Sequence, residues 1–202
     1  MTVNSFCFTS TLVAAMLCLV PSIGIAQQAS QGTTKSAAKK PAPTPETHVP
    51  GPGGGQPTLL GQYGEWGAYV VSAGGNKICF ALAKPHDSRT KPPNRPRDPS
   101  YLFVASRPAE NVHNEVSVMI GYSFKPGSDA SLEIGPAKFA MYTQSDGAWI
   151  KNAAEEARMV EAMRKGADVV VTGTSARGTQ SMDRYSLKGL SQALDRASQE
   201  CK

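Results

Sequence analysis

Glu115-Val116-Ser117-Val118-Met119-Ile120-Gly121-Tyr122 is the stretch that decides the fold. Val116, Val118, Ile120 and Tyr122 fall on one face of it, and Glu115, Ser117 and Met119 on the other. This is the period-two alternation of a half-buried strand. The same signal repeats on both sides. Upstream, Trp66–Val71, Lys77–Ala83 and Tyr101–Ser106 read as strands, with Ala73-Gly74-Gly75-Asn76 as a hairpin turn. Downstream, Ser131–Ile134, Lys138–Thr143 and Ala148–Ile150 are short strands parted by Gly135-Pro136 and Ser145-Asp146-Gly147. Turn signals roughly every 8–12 residues are the rhythm of an antiparallel sandwich or barrel.

Two helices break the β run. Asn152 can cap the first, Glu155 stands in the capping-box position, and Arg164-Lys165-Gly166 ends it. Asp168–Thr174 is a buried strand, Ser175–Gly178 a turn, and Ser181–Leu187 the return strand. The last helix runs from about Gly189 to Glu200, with Leu190, Leu194, Ala197 and Cys201 on one face. The expected fold is mainly β, with sandwich-like antiparallel sheets and two short helices, one of them C-terminal.

The chain has 202 residues, 40% of them hydrophobic, which suits one packed domain with extensions. Residues 1–26 carry no charged side chain. Leu12–Val20 has the length of a signal-peptide core, and Gly24-Ile25-Ala26 supplies small residues for a cut before Gln27. A membrane anchor and a lipid attached at Cys18 are the alternatives. The apolar run is short for a span of roughly 20 residues, and Leu17 does not suit lipidation. Residues 27–62 hold six Pro and six Gly and few large aliphatic side chains, so they read as a disordered linker. Residues 63–202 form the β-rich domain. The expected location is periplasmic or secreted, with no transmembrane span after cleavage.

The formal charge is +5, of which +2 sits in the linker and +3 in the domain. No basic stripe mixed with aromatics is visible, so nucleic acid is not an expected partner. Lys84–Ser100 alone carries five Pro, five basic residues and two Asp. It reads as a long loop. Arg89, Lys91, Arg95 and Arg97 make it a candidate docking site for an anionic surface, set against a plain solvated insertion.

No catalytic, cofactor or metal set emerges. His48 lies in the linker and His113 in a polar turn. His86, Asp87 and Ser88 are consecutive, and such neighbours cannot place a base between nucleophile and orienting acid. Gly173–Gly178 follows a strand but lacks the Gly-Lys-Ser/Thr ending of a phosphate loop. Glu155, Glu156 and Glu161 read as a solvated helix face. Tyr63, Trp66, Tyr69, Tyr101 and Tyr122 are either packing residues or a sugar-binding platform. After leader removal only Cys79 and Cys201 remain. In an oxidising compartment they form one bridge or stand as two buried thiols.

Tyr63-Gly64-Glu65-Trp66, Lys77-Ile78-Cys79-Phe80, the Ala154–Gly166 helix running into a Val-rich strand, and Tyr185-Ser186-Leu187-Lys188-Gly189-Leu190-Ser191-Gln192-Ala193-Leu194-Asp195 together resemble the invasion-associated locus B family. Its members are small exported proteins, mainly of alphaproteobacteria. The resemblance covers roughly residues 62–199. Leu190 stands where the family usually has Phe. Val70 stands where many members have Cys, and Tyr142–Trp149 lacks their later Cys pair. The family's disulfide pattern therefore does not carry over, which leaves Cys201 for Cys79. The leader, the linker, the missing catalytic set and the resemblance together lead to the expectation of an exported, non-enzymatic protein that acts through its surface on an envelope or host-surface component. The rival reading is a periplasmic binding module for an anionic envelope polymer or small ligand through loop 84–100. A third is a hydrolase whose residues converge only in three dimensions.

Overall fold

The computed structural model describes Gly51 and residues 55–202. The predicted leader and most of the predicted linker lie outside the described residues. Eleven strands follow along the described chain: β1 (Thr58–Tyr63), β2 (Trp66–Ala73), β3 (Asn76–Ala83), β4 (Asp87–Lys91), β5 (Tyr101–Arg107), β6 (Val112–Met119), β7 (Ala130–Ile134), β8 (Ala137–Gln144), β9 (Gly147–Ile150), β10 (Asp168–Thr174) and β11 (Gln180–Ser186). The two α-helices are α1 (Glu156–Lys165), entered through a 3-10 turn at Ala153–Glu155, and α2 (Leu190–Glu200). Asn152 caps this entry by accepting from the Ala154 N–H at 3.2 Å, and its carbonyl accepts from the Glu155 N–H at 2.9 Å, while the Glu155 carboxylate pairs with Arg158 rather than with the Asn152 N–H.

The strands make one continuous antiparallel sheet in the order β1-β2-β3-β5-β6-β9-β8-β7-β10-β11-β4. It folds back on itself: the Trp66 indole on β2 donates to the Ser186 carbonyl on β11 at 2.8 Å, although eight strand positions separate the two. The core is thus sandwich-like while the hydrogen-bonded ladder stays unbroken.

Alternation decides what lies inside. Val116 and Val118 of β6, Leu132 of β7, Phe139 and Met141 of β8, and Val169 and Val171 of β10 all enter one main core. Met159, Val160 and Met163 of α1 and Leu190, Ala193, Leu194 and Ala197 of α2 close it. A second cluster lies on the opposite face of β2, β3 and β5, where Tyr69 stacks on Phe80 at 5.4 Å beside Phe103 and Leu82. This half of the sheet is therefore apolar on both faces. The small side chains Ala81 and Ala83 of β3 lie on the main-core side with Cys79, and α2 packs against β1, β2 and β3. The last turn of α2 brings Cys201 to Cys79, and the two form a disulfide with Cα atoms 5.9 Å apart.

Several expectations change. His113, expected in a polar turn, lies within β6. The linker is expected to span 27–62, yet Thr58–Gln62 already belong to β1, which pairs with β2. Leu60 is the extra residue of a bulge between Leu59 and Gly61 and packs against the core, so pairing orders a segment whose own composition is linker-like. Lys84–Ser100 is not wholly a loop either. Asp87–Lys91, the run between its prolines, is strand β4 on the sheet edge, paired with β11 from Asp87↔Arg184 to Lys91↔Gln180. A short polar strand with prolines beyond its ends is a usual way to terminate a sheet without inviting another.

Candidate functional site

The chemistry of the molecule gathers where β4, β11 and the chain after β6 meet. On β11 the inward parity carries Ser181, Asp183 and Tyr185, all buried. A carboxylate taken fully out of water needs a partner. Arg97 supplies it. Its Nη1 donates to Asp183 Oδ2 at 2.7 Å and to the Ile120 carbonyl at 2.9 Å, and its Nη2 meets Asp183 Oδ1. Ser88 Oγ donates to Asp183 Oδ1 at 2.8 Å and accepts from Arg97 Nη2 at 3.2 Å. The fork-to-carboxylate geometry is the one for which a guanidinium is suited. Around it, the Tyr122 hydroxyl shares a hydrogen bond with Ser181 and the Tyr185 hydroxyl one with Ser100, both at 2.6 Å.

Beside this network opens a cleft with a mixed polar and apolar lining. Its floor is Gly121-Tyr122-Ser123, its first wall the chain from Pro92 to Asp98, and its second the turn Ser175–Thr179. Backbone bonds hold all three parts together: Asp98 N donates to Gly121 O at 3.0 Å and Ala176 N to Ser123 O at 2.8 Å. Gly121 has φ +80°, and a Cβ there would stand 2.1 Å from the Asp98 carbonyl. Only glycine lets the floor and first wall approach this closely. The cleft measures about 930 Å³ and takes in Arg95, Arg97, Asp98 and Arg177.

The four basic residues singled out from the sequence are thereby divided. Arg97 is not a free docking charge: its side chain is 11% exposed and committed to Asp183. Arg89 lies on β4 and pairs with Asp87 at 2.9 Å. Lys91 ends β4. Only Arg95 of the four lines the cleft without an ion pair among the described residues. Arg177, read from the sequence as a plain turn residue, joins it.

The aromatic residues do not form a shared platform. Trp66 is core, Tyr63 packs against the same core, Tyr69 belongs to the opposite-face cluster, and Tyr101 of that cluster meets Tyr122 of the polar network only along one shallow pocket with Pro99 and Met119. The aromatic pair that does reach the surface, Tyr142 stacked on Trp149 at 5.6 Å, carries no motif in the sequence. His86 stands 3.8 Å from Asp168, both partly in solvent, and lines neither the cleft nor the network. No cluster of three ligand-type side chains occurs among the described residues.

Burial pushes the phenols of Tyr69, Tyr101, Tyr122 and Tyr185 upward, and the nearby Asp183 charge adds to the effect at Tyr185. A phenol raised in the folded state keeps a proton that the unfolded chain loses above about pH 10. Stability from this source is whole below that pH and falls as pH rises further. The melting temperature should therefore drop steeply between about pH 10 and 11.5, with tyrosinate absorbance near 295 nm rising together with unfolding. Full phenol ionisation ahead of unfolding would refute the burial argument.

The comparisons with known proteins fall on this domain. The family model described as invasion associated locus B (IalB) protein matches residues 70–198. The crystal structure of invasion associated protein b from Bartonella henselae is similar in fold, with a TM-score of 0.50 and 16% identity over 69% of this chain and 95% of that one. At that identity the likeness concerns the fold alone. No curated protein matches. Two of the sequence motifs quoted above meet in space, although Tyr63–Trp66 precedes the matched residues. The Cβ of a residue replacing Gly189, whose φ is +97°, would stand 1.9 Å from the Tyr63 carbonyl, so the Tyr63–Trp66 and Ser186–Gly189 segments close on each other as one structural clasp. With the model matching well over half of its length, the chain belongs to the invasion associated locus B family.

Proposed function

We propose that this protein is exported, has no enzymatic activity, and acts through its surface in the cell envelope or on a host cell. The observation that carries the reading is the disulfide between Cys79 and Cys201, behind a leader-like N-terminus. Such a bridge persists in an oxidising compartment and is rare in the cytosol. The invasion link in the family's description supports a host-facing role. No helix among the described residues is long and apolar enough to cross a membrane. The test is the mature product. Intact-mass measurement of periplasmic or culture-supernatant protein should give a chain starting at Gln27 with the bridge closed. A cytosolic chain that retains residues 1–26 would overturn the proposal.

A second reading, a binding module for an anionic envelope polymer or small ligand through segment 84–100, is favoured by Arg95 facing the cleft without an ion pair among the described residues.

A further inference from the structure

We infer that the cleft between Pro92–Asp98 and Ser175–Thr179 is a binding site for an acidic oligosaccharide, gripped by Arg95 and Arg177. The inference rests on the second reading above and moves its chemistry from β4 to the cleft. Arg95 and Arg177 come from the two opposite walls, 82 positions apart in sequence, and neither is ion-paired among the described residues. Arg97 between them is already balanced by Asp183, and Asp98 is the negative group in the lining. One positive charge is left in excess. Two guanidinium forks on facing walls suit carboxylate or sulfate groups spaced along a ligand.

The remaining lining decides the ligand class. Thr90, Ser123, Ser175 and Thr179 offer hydroxyls. Four prolines and glycines, Pro92, Pro96, Gly121 and Gly178, also line it, and at Gly178 the space beside the backbone is open. The apolar part of the lining comes from Tyr122, Pro92, Pro96 and Ala176, with no large aliphatic side chain along which an acyl chain could lie. A volume of about 930 Å³ sits at the upper end of small-ligand sites and accommodates several sugar rings. Arg97 holds the first wall through the Ile120 carbonyl, and the turn of the second wall is closed by Gly178 N donating to Ser175 O at 2.8 Å. The two arginines thus project from fixed frames, which lowers the ordering cost of binding.

The experiment is calorimetric titration of the disulfide-closed exported protein with heparin tetrasaccharide, tetragalacturonate and neutral chitotetraose. Saturable binding of one or both acidic sugars and none of the neutral one is expected. If tetragalacturonate binds, carboxylates suffice; if only the heparin fragment binds, sulfate is required. Arg95→Gln with Arg177→Gln should weaken binding at least about tenfold, as for two lost charge-assisted contacts. Arg89→Gln with Lys91→Gln should leave it within about twofold. Both double variants change exposed side chains, and unchanged melting temperatures establish folding. If only the Arg89/Lys91 variant weakens binding, the cleft assignment fails and the segment reading survives. If no acidic sugar binds, or chitotetraose binds equally well, both fail.

Discussion

Replacing Arg97 with Met lowers the unfolding free energy by about 3–5 kcal/mol, the usual cost of stripping one partner from a buried ion pair. The size follows from what is left behind. Asp183 is wholly buried, and in the variant its carboxylate keeps only the Ser88 hydroxyl of its side-chain partners. The Ile120 carbonyl loses a donor as well. Arg97→Lys should fall between, because a single ammonium cannot serve both carboxylate oxygens and the carbonyl in a fixed plane. The double change Arg97→Met with Asp183→Leu should regain most of the loss, since it removes the stranded charge along with its partner. Urea denaturation of the four proteins reads all of this. A single-variant loss below about 1 kcal/mol, the range of exposed pairs, would show that water reaches Asp183 and that the network is not a closed one.

That ion pair also shows where sequence reasoning stops. β6, the β2–β3 hairpin and the Val-rich β10 are legible because period-two alternation and Gly-Gly turns are local signals. The helices are legible from their apolar spacing and end residues. β1 is not, because Thr58–Tyr63 gains its order from pairing with β2 and from Leu60 entering the core, and neither is written in its own composition. β4 is not, because a polar edge strand carries no hydrophobic period. Arg97 looks like any loop cation, since its partner lies 86 residues away. A clue did exist: Asp183 shares inward parity with Ser181 and Tyr185 on β11, and a carboxylate on the buried face of a strand demands a cation from somewhere. Arg177 had no such clue. Its place opposite Arg95 depends on how the Ser175 turn and the Pro92–Asp98 chain are both hung on Gly121–Ser123.

Opening the Cys79–Cys201 bridge, by Cys79→Ala with Cys201→Ala, lowers stability by about 4–5 kcal/mol. The bridge joins residues 122 positions apart, and closing so long a loop removes that much entropy from the unfolded chain. The folded state loses little by comparison. α2 keeps Leu190, Ala193, Leu194 and Ala197 in the core, and only its last turn, beside the surface Lys77–Glu200 pair, is free to fray. Two readouts separate these contributions. If the unfolded state carries the effect, the denaturant m-value rises, because an uncrosslinked chain exposes more surface on unfolding. Amide exchange should then quicken locally at the end of α2 and, elsewhere, only as the global stability falls. An unchanged m-value with the whole of α2 exchanging freely would instead mean that the bridge holds the helix in place. A loss below about 1 kcal/mol would remove the disulfide from any account of how the fold endures. The outcome bears on location too. A domain that relies on several kcal/mol from one bridge is much less secure wherever glutathione keeps thiols reduced, so the measured loss sets how strongly folding itself confines the protein to an oxidising compartment.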